Sequence, residues 1–298
     1  MADRRRINGP VGTTVPPVYD SPPPHGRETQ ASNESQSDAA QGDTIRKIFL
    51  KTGVTTSASG SAYLELENPG ANPSNSGLKL SCTVHGPRAL PRSAPFSPHI
   101  ILTTHVKYAP FATKQRRGYL RDSTERDLGV HLETALRGAI IADRWPKSGV
   151  DIIITIIEGD QDRHAPENHA DDGWDTMNVL SGCITVASAA IADAGIDCVD
   201  IVAGGVAAVV ASKERSSPSV VIDPSMASYH RIYAACCIAY LPARDEVTNI
   251  WYKGQLPGDD HAVLYNDLVE NSLVACRNAH RVVMKSLKET VRPGQDIS

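Results

Sequence analysis

An α+β fold, mixed sheets with helices packed on them, is what this sequence predicts. Strand-like alternation comes in clusters, first at "SAYLELE" (61–67) and "LKLSCTVHG" (78–86) and again beyond residue 200. Helical spacing marks separate stretches at 123–145, 176–195 and about 258–288. The order that results is sheet, helix, strand, helix, sheet, helix. It divides into two similar halves and lacks the steady strand–helix alternation of a doubly wound parallel sheet.

Residues 1–44, with "PVGTTVPPVYDSPPPHGRETQASNESQSDAAQGD", are rich in Pro, Ser, Gly, Gln and charge. Such a segment buries too little apolar surface to offset its ordering entropy, so a disordered Pro/Ser-rich tail is expected. Order is expected from Ile45. The stretches 61–67 and 78–86 read as a β-hairpin with "NPGANPSNSG" at its long tip, and "SPHIILTTHVKY" (97–108) as a third strand. In 123–145, Leu128, Leu132, Leu136 and Ile140 recur every four residues. Ser123 is placed to cap that helix, and Glu125 favours its N-terminal dipole.

"GVDIIITIIEG" (149–159) reads as a buried strand. The helix over 176–195 is mostly Ala, Ser, Gly and β-branched residues, a smooth surface suited to close packing on a sheet, with Gly195 fit for the C′ position. Strands follow at 200–211, 219–224, 230–241 and 246–254, with "KERSSP" and "PARD" as hairpin turns. Adjacent glycines in "AGGVAAV" read as a strand bend. The last helix, about 258–288, presents Ala262, Leu264, Tyr265, Leu268, Leu273 and Ala275 as its apolar side. Residues 289–298 read as a flexible C-terminus. The ordered domain is thus 45–288, with halves of about 45–195 and 196–288.

The composition narrows the function classes. Hydrophobic residues at 41% and charged residues at 21% are ordinary for a globular chain. A net charge of -4 offers nucleic acid no global attraction, so any such contact must be a local patch. Six cysteines without a CxxC favour buried, reduced thiols over a disulfide framework or zinc site. The start, "MADRRRINGPVG", has no apolar core of a secretory signal, and no membrane span is expected.

The order and spacing of "GSAYLEL" (60–66), "LSCTVHGPR" (80–88), "ERDLGVHLETAL" (125–136), "DIIITIIEGD" and the "AAIADAGI" helix end (189–196) resemble the ribonuclease PH family. "FATKQRRGYLRDSTERDLG" (111–129) is most similar to the family's eukaryotic RNA exosome members. The resemblance implies a ribonuclease PH-like (ribosomal protein S5 domain 2-like) fold. Its active members cleave RNA from the 3′ end with phosphate as nucleophile. Phosphate is strongly hydrated and weakly nucleophilic, so such a site needs backbone N–H groups at a helix start and a guanidinium fork. An acidic pair must then assist the leaving oxygen.

Position by position, that machinery is degraded. The family's Gly-Gly-Thr-Arg cradle falls in "IIEGDQDRHAPENHADDGWDTMNVLSGC" (156–183), where Gly173, Trp174, Asp175 and Thr176 stand at the helix start behind Asp171 and Asp172. No Lys or Arg occurs from His164 to Ser212. A carboxylate beside a phosphate costs roughly 4 kcal/mol per unit pair at ~4 Å and an effective dielectric near 20. The family's Asp-x-Asp is reduced to Asp223 and Ser225, followed by Ala227 and Ser228. Asp223 with Pro224 reads better as a strand-ending turn than as a catalytic base.

Three lesser candidates have plainer readings. His164, His169, Asp160, Asp162, Asp171 and Asp172 match no metal-ligand spacing and read as a solvated loop. Ser181-Gly182-Cys183 lies inside a helix and reads as packing. Arg88 and Arg92 are weaker candidates for RNA contact, because the GPR turn can use its arginine structurally.

The basic stretch "KQRRGYLR" carries Lys114, Arg116, Arg117 and Arg121 around Tyr119. In the family this loop faces the RNA channel, and cations with an aromatic suit single-stranded RNA. An ordinary solvated loop, or one touching a neighbouring subunit, remains the other reading. The resemblance thus implies a non-catalytic exosome ring subunit without cofactor or metal. Its implied partners are other ribonuclease PH-like subunits (one as heterodimer partner), an S1/KH-type cap subunit and single-stranded RNA. Its implied compartments are the nucleus, including the nucleolus, and the cytoplasm. The rival readings are a phosphorolytic 3′-to-5′ exoribonuclease using Asp223 and a metal-dependent nuclease using Asp223 and the Asp-rich loop.

Overall fold

The computed structural model describes residues 45–67, 77–113, 116–120, 122–160, 173–211, 218–224, 231–257 and 261–291. The expected tail (1–44), the hairpin tip, "KERSS", Ser225 and residues 292–298 lie outside them. Two sheets emerge. The first holds β1 (Ile48–Thr52), β2 (Gly60–Leu66), β3 (Lys79–Ala89), β4 (Ile101–Tyr108) and β5 (Ser148–Glu158) in the order β1-β2-β3-β5-β4. The predicted hairpin is β2 with β3, antiparallel, with Ala62 opposite Cys82. Only β4 runs parallel to its neighbour, β5. The second sheet holds β6 (Ala203–Val210), β7 (Ser219–Ile222), β8 (Ile232–Leu241) and β9 (Glu246–Gly254) in the order β7-β6-β8-β9, all antiparallel. "PARD" makes the β8–β9 turn.

Helix α2 (Asp175–Asp193) packs against β2 and β3 on one side and β6 and β8 on the other. A helix covered on both sides can keep almost no polar face, which explains its run of Ala, Ser, Gly and β-branched residues. By length and composition it is apolar enough to cross a membrane, against expectation, yet its residues are nearly all buried inside the protein. Ala194 closes it, and Gly195 follows at φ +69°, the left-handed C′ geometry expected of it. The glycine pair in β6 makes no bend, because pairing with β8 is regular through Ala203–Val209. Instead the two residues point to opposite faces. A Cβ on Gly204 would meet the Ser181 backbone of α2 at 2.4 Å. One on Gly205 would meet the backbone of Ser272 and Cys276 at 2.5 Å, in α3 (His261–Val291). β6 is therefore buried along its whole length.

Three other elements, α1, β5 and α3, depart from expectation. Helix α1 spans Ser123–Arg137, not 123–145: Gly138 follows, in the space against Thr248 of β9, and a short 3-10 turn (Ala142–Arg144) comes after. Its N-cap is Asp122, not Ser123, in a capping box with Glu125. β5 is not buried on both faces; Val150, Ile152, Ile154 and Ile156 face the core while Ile153 is exposed. The buried stripe of α3 is Leu268, Ser272, Ala275, Cys276, Ala279 and Val283, whereas Ala262 and Tyr265 are exposed. That helix also reaches Val291, past the expected end at 288.

Candidate functional site

Gly173 and Trp174 lead into α2. Gly173 adopts φ +62°, Trp174 is the N-cap residue, and Thr176 donates from Oγ1 to the Gly173 carbonyl at 2.5 Å. Asp175 opens the helix with its residue only 7% exposed. A buried carboxylate thus sits where a phosphate would need the helix's free N–H groups. Tyr108 lies close by; burial and then the Asp175 charge push its phenol well above the ordinary range.

The absence of cations between His164 and Ser212 does not carry into space. β9 brings Lys253 over the Trp174 ring, with Nζ 5.0 Å from the centroid and 3.3 Å from where a Cβ on Gly173 would lie. Asp171 and Asp172 are outside the described residues, as are His164, His169 and Asp162.

Asp160 and Asp223, far apart in the chain, converge on one guanidinium. Arg46 donates from Nη1 to Asp160 Oδ2 at 3.0 Å and from Nη2 to Asp223 Oδ1 at 2.6 Å. Its backbone N–H adds a bond to Asp223 Oδ2 at 3.3 Å. Burial alone would lower the Arg46 pKa, but Asp160 and then Asp223 outweigh it and hold the charge firmly in place. Asn178, on the first turns of α2, donates to Asp160 at 2.5 Å and to the Pro224 carbonyl at 2.8 Å. Asp223 takes φ +47° as β7 ends, and its N–H donates to the Val206 carbonyl at 2.8 Å. The strand-ending turn is there, with an ion pair added.

Nothing in the sequence marked Arg46. It stands 114 residues from Asp160 and 177 from Asp223, and a lone arginine before a strand carries no motif. Among the described residues, no group of three or more His, Cys, Asp and Glu could hold a metal ion.

The basic loop is only partly within view, since Lys114 and Arg121 lie outside the described residues. Arg117 lies 4.4 Å over the Tyr108 ring and bonds Asp122 at 3.5 Å, while Arg116 is exposed. Arg88 is paired with Asp151, and Arg92 is exposed. Ser181-Gly182-Cys183 is packing: a Cβ on Gly182 would meet Leu80 at 2.7 Å, and burial pushes the Cys183 thiol up.

Comparison with known proteins agrees with this architecture. A family model, "RNase_PH: 3′ exoribonuclease family, domain 1", matches residues 44–197. The chain is 66% identical over 291 residues to "Exosome complex component MTR3" of Chaetomium thermophilum, covering 98% of this chain and 100% of the relative. It is 29% identical over 285 residues to "Exosome complex component mtr3" of Schizosaccharomyces pombe, covering 91% and 92%. The crystal structure of rice Rrp46 superposes with a TM-score of 0.62 at 15% identity, over 85% of this chain and all of that one, a likeness of fold. The "MADRRRINGP" start and the long loop at 159–173 resemble the ring subunit called mRNA transport regulator three, the name these two relatives carry.

Proposed function

The chain belongs to the ribonuclease PH, or 3′ exoribonuclease, family, and from that membership we propose that it is a non-catalytic structural subunit of an RNA exosome ring. It pairs with another ribonuclease PH-like subunit and sits in the ring beneath an S1/KH-type cap subunit. It guides single-stranded RNA through the central channel toward 3′-to-5′ processing and degradation carried out elsewhere. Its compartments are the nucleus, including the nucleolus, and the cytoplasm.

The observation that carries this reading is the buried Asp175 at the start of α2. A phosphate dianion there would face the buried carboxylate of the first helical turn, with a repulsion of roughly 4 kcal/mol per unit pair at ~4 Å. The guanidinium fork that phosphorolysis needs has no counterpart among the described residues at that turn. Arg46, a buried arginine, is taken up by Asp160 and Asp223. The near-full-length identity to an exosome component supports the assembly.

The test is to purify the complex through a tag on this chain from its own cells, then measure its native mass and its phosphate-dependent release of nucleoside diphosphates. One copy beside other ribonuclease PH-like chains and cap proteins is expected, with no release that depends on Asp223. An assembly of this chain alone that releases nucleoside diphosphates, and loses that activity in Asp223→Asn, would revive the enzyme.

A further inference from the structure

The basic loop does not use its arginines alike. Arg117 is turned inward: its guanidinium covers the Tyr108 ring, it bonds the N-cap carboxylate of Asp122, and its backbone N–H donates to the Pro110 carbonyl at 3.2 Å. Lys107 holds the other end, donating to the Leu120 carbonyl at 2.8 Å and to Glu125 at 2.9 Å. Residue 110 is thereby tied to 117, and 107 to 120. Among the described residues of the loop, the large side chains left outside these ties are Arg116 and three apolar groups, Phe111 at 67%, Tyr119 at 88% and Leu120 at 72% exposure. Rings that exposed contribute nothing to the core, yet the backbone holding them is fastened at both ends.

We propose that Phe111 and Tyr119 are stacking platforms for the bases of single-stranded RNA, with Arg116 contacting phosphate and Arg117 acting as a positioning residue that RNA does not touch. The inference rests on the guiding role proposed above and assigns the residues that perform it. Every base has a π-face, so aromatic stacking tolerates any sequence, as a passage for varied RNA requires. The attraction must be local because the chain's net charge is -4.

The test uses the assembled complex with the full-length chain and single-stranded RNA carrying 5-bromouridine, photocrosslinked and mapped by peptide mass spectrometry. Crosslinks at Phe111 or Tyr119 are expected. Phe111→Ala with Tyr119→Ala should weaken RNA binding about five-fold or more while leaving its salt dependence unchanged. Arg116→Ala should flatten the slope of log affinity against log salt by about 0.7, and Arg117→Gln should leave that slope alone.

Crosslinks confined to other residues of this chain would overturn the stacking assignment and leave the guiding role standing. An intact complex with no crosslink anywhere on this chain would overturn both. Loss of the complex's native mass in the double aromatic variant would give the surface to a protein neighbour and overturn the proposal.

Discussion

Replacing Arg46 by Met removes a charge from an enclosed ion network while keeping much of the side chain's bulk. Arg46 and Asp160 side chains are each 2% exposed, and that of Asp223 is 14% exposed, with contacts of 3.0 and 2.6 Å. Breaking a buried pair by deleting one partner costs about 3–5 kcal/mol, because the remaining charge is left uncompensated. Here two carboxylates are stranded together, so the upper end, about 5 kcal/mol near neutral pH, is expected. Against a whole-domain stability of about 5–15 kcal/mol, that is a third or more.

Urea denaturation of the full-length chain near neutral pH measures the loss. Adding Asp160→Asn and Asp223→Asn should restore much of the loss, since a network replaced whole leaves no orphan charge. A loss below about 1 kcal/mol, or no recovery in the triple variant, would refute the claim that the two carboxylates depend on Arg46.

Gly205→Ala should lower stability by about 1–3 kcal/mol in thermal unfolding, because its Cβ would press on the α3 backbone at 2.5 Å. Gly118→Ala, with nothing within 4 Å, should be neutral and serves as its control. Glu125 is 1% exposed and accepts from Tyr108 N–H, Asp122 N–H and Lys107. Glu125→Ala should thus cost about 3 kcal/mol in urea denaturation, clearly more than the ~1 kcal/mol of losing the Asp122 cap in Asp122→Ala. His280 has its pKa lowered by burial, against the pull of Asp200 at 3.8 Å. The folded state then binds fewer protons than the unfolded one, so stability is kept above the unfolded value of about 6.5 and lost as pH falls below it. In His280→Gln that part of the slope should disappear; melting curves in which wild type and variant decline in parallel would count against it.

Local order was largely legible. The β2–β3 hairpin follows from two alternating stretches, and α2 from a run of small residues ending at Gly195. Even its unusual smoothness pointed to close packing. Where reading stopped short, the missing information was a neighbour from elsewhere in the chain. Helix α1 ends at Gly138 although Ile140 keeps the four-residue spacing, and Thr248 occupies the space beside that glycine. The buried stripe of α3 departs from the expected one because burial begins only at Leu268, beyond Ala262 and Tyr265. The turn at Asp223 is legible beside Pro224, whereas its partner Arg46 is not.

The division follows from the range of the forces. Periodicity, capping and turn chemistry depend on residues within one helical turn or one strand pair, so the sequence by itself determined the element types, their order and the acidic character of the turn before α2. Charge pairing is decided by packing across long separations. Only the tertiary structure decided that Arg46 lies between Asp160 and Asp223, that Lys253 lies over Trp174, and that Arg117 faces Tyr108 while Tyr119 faces solvent.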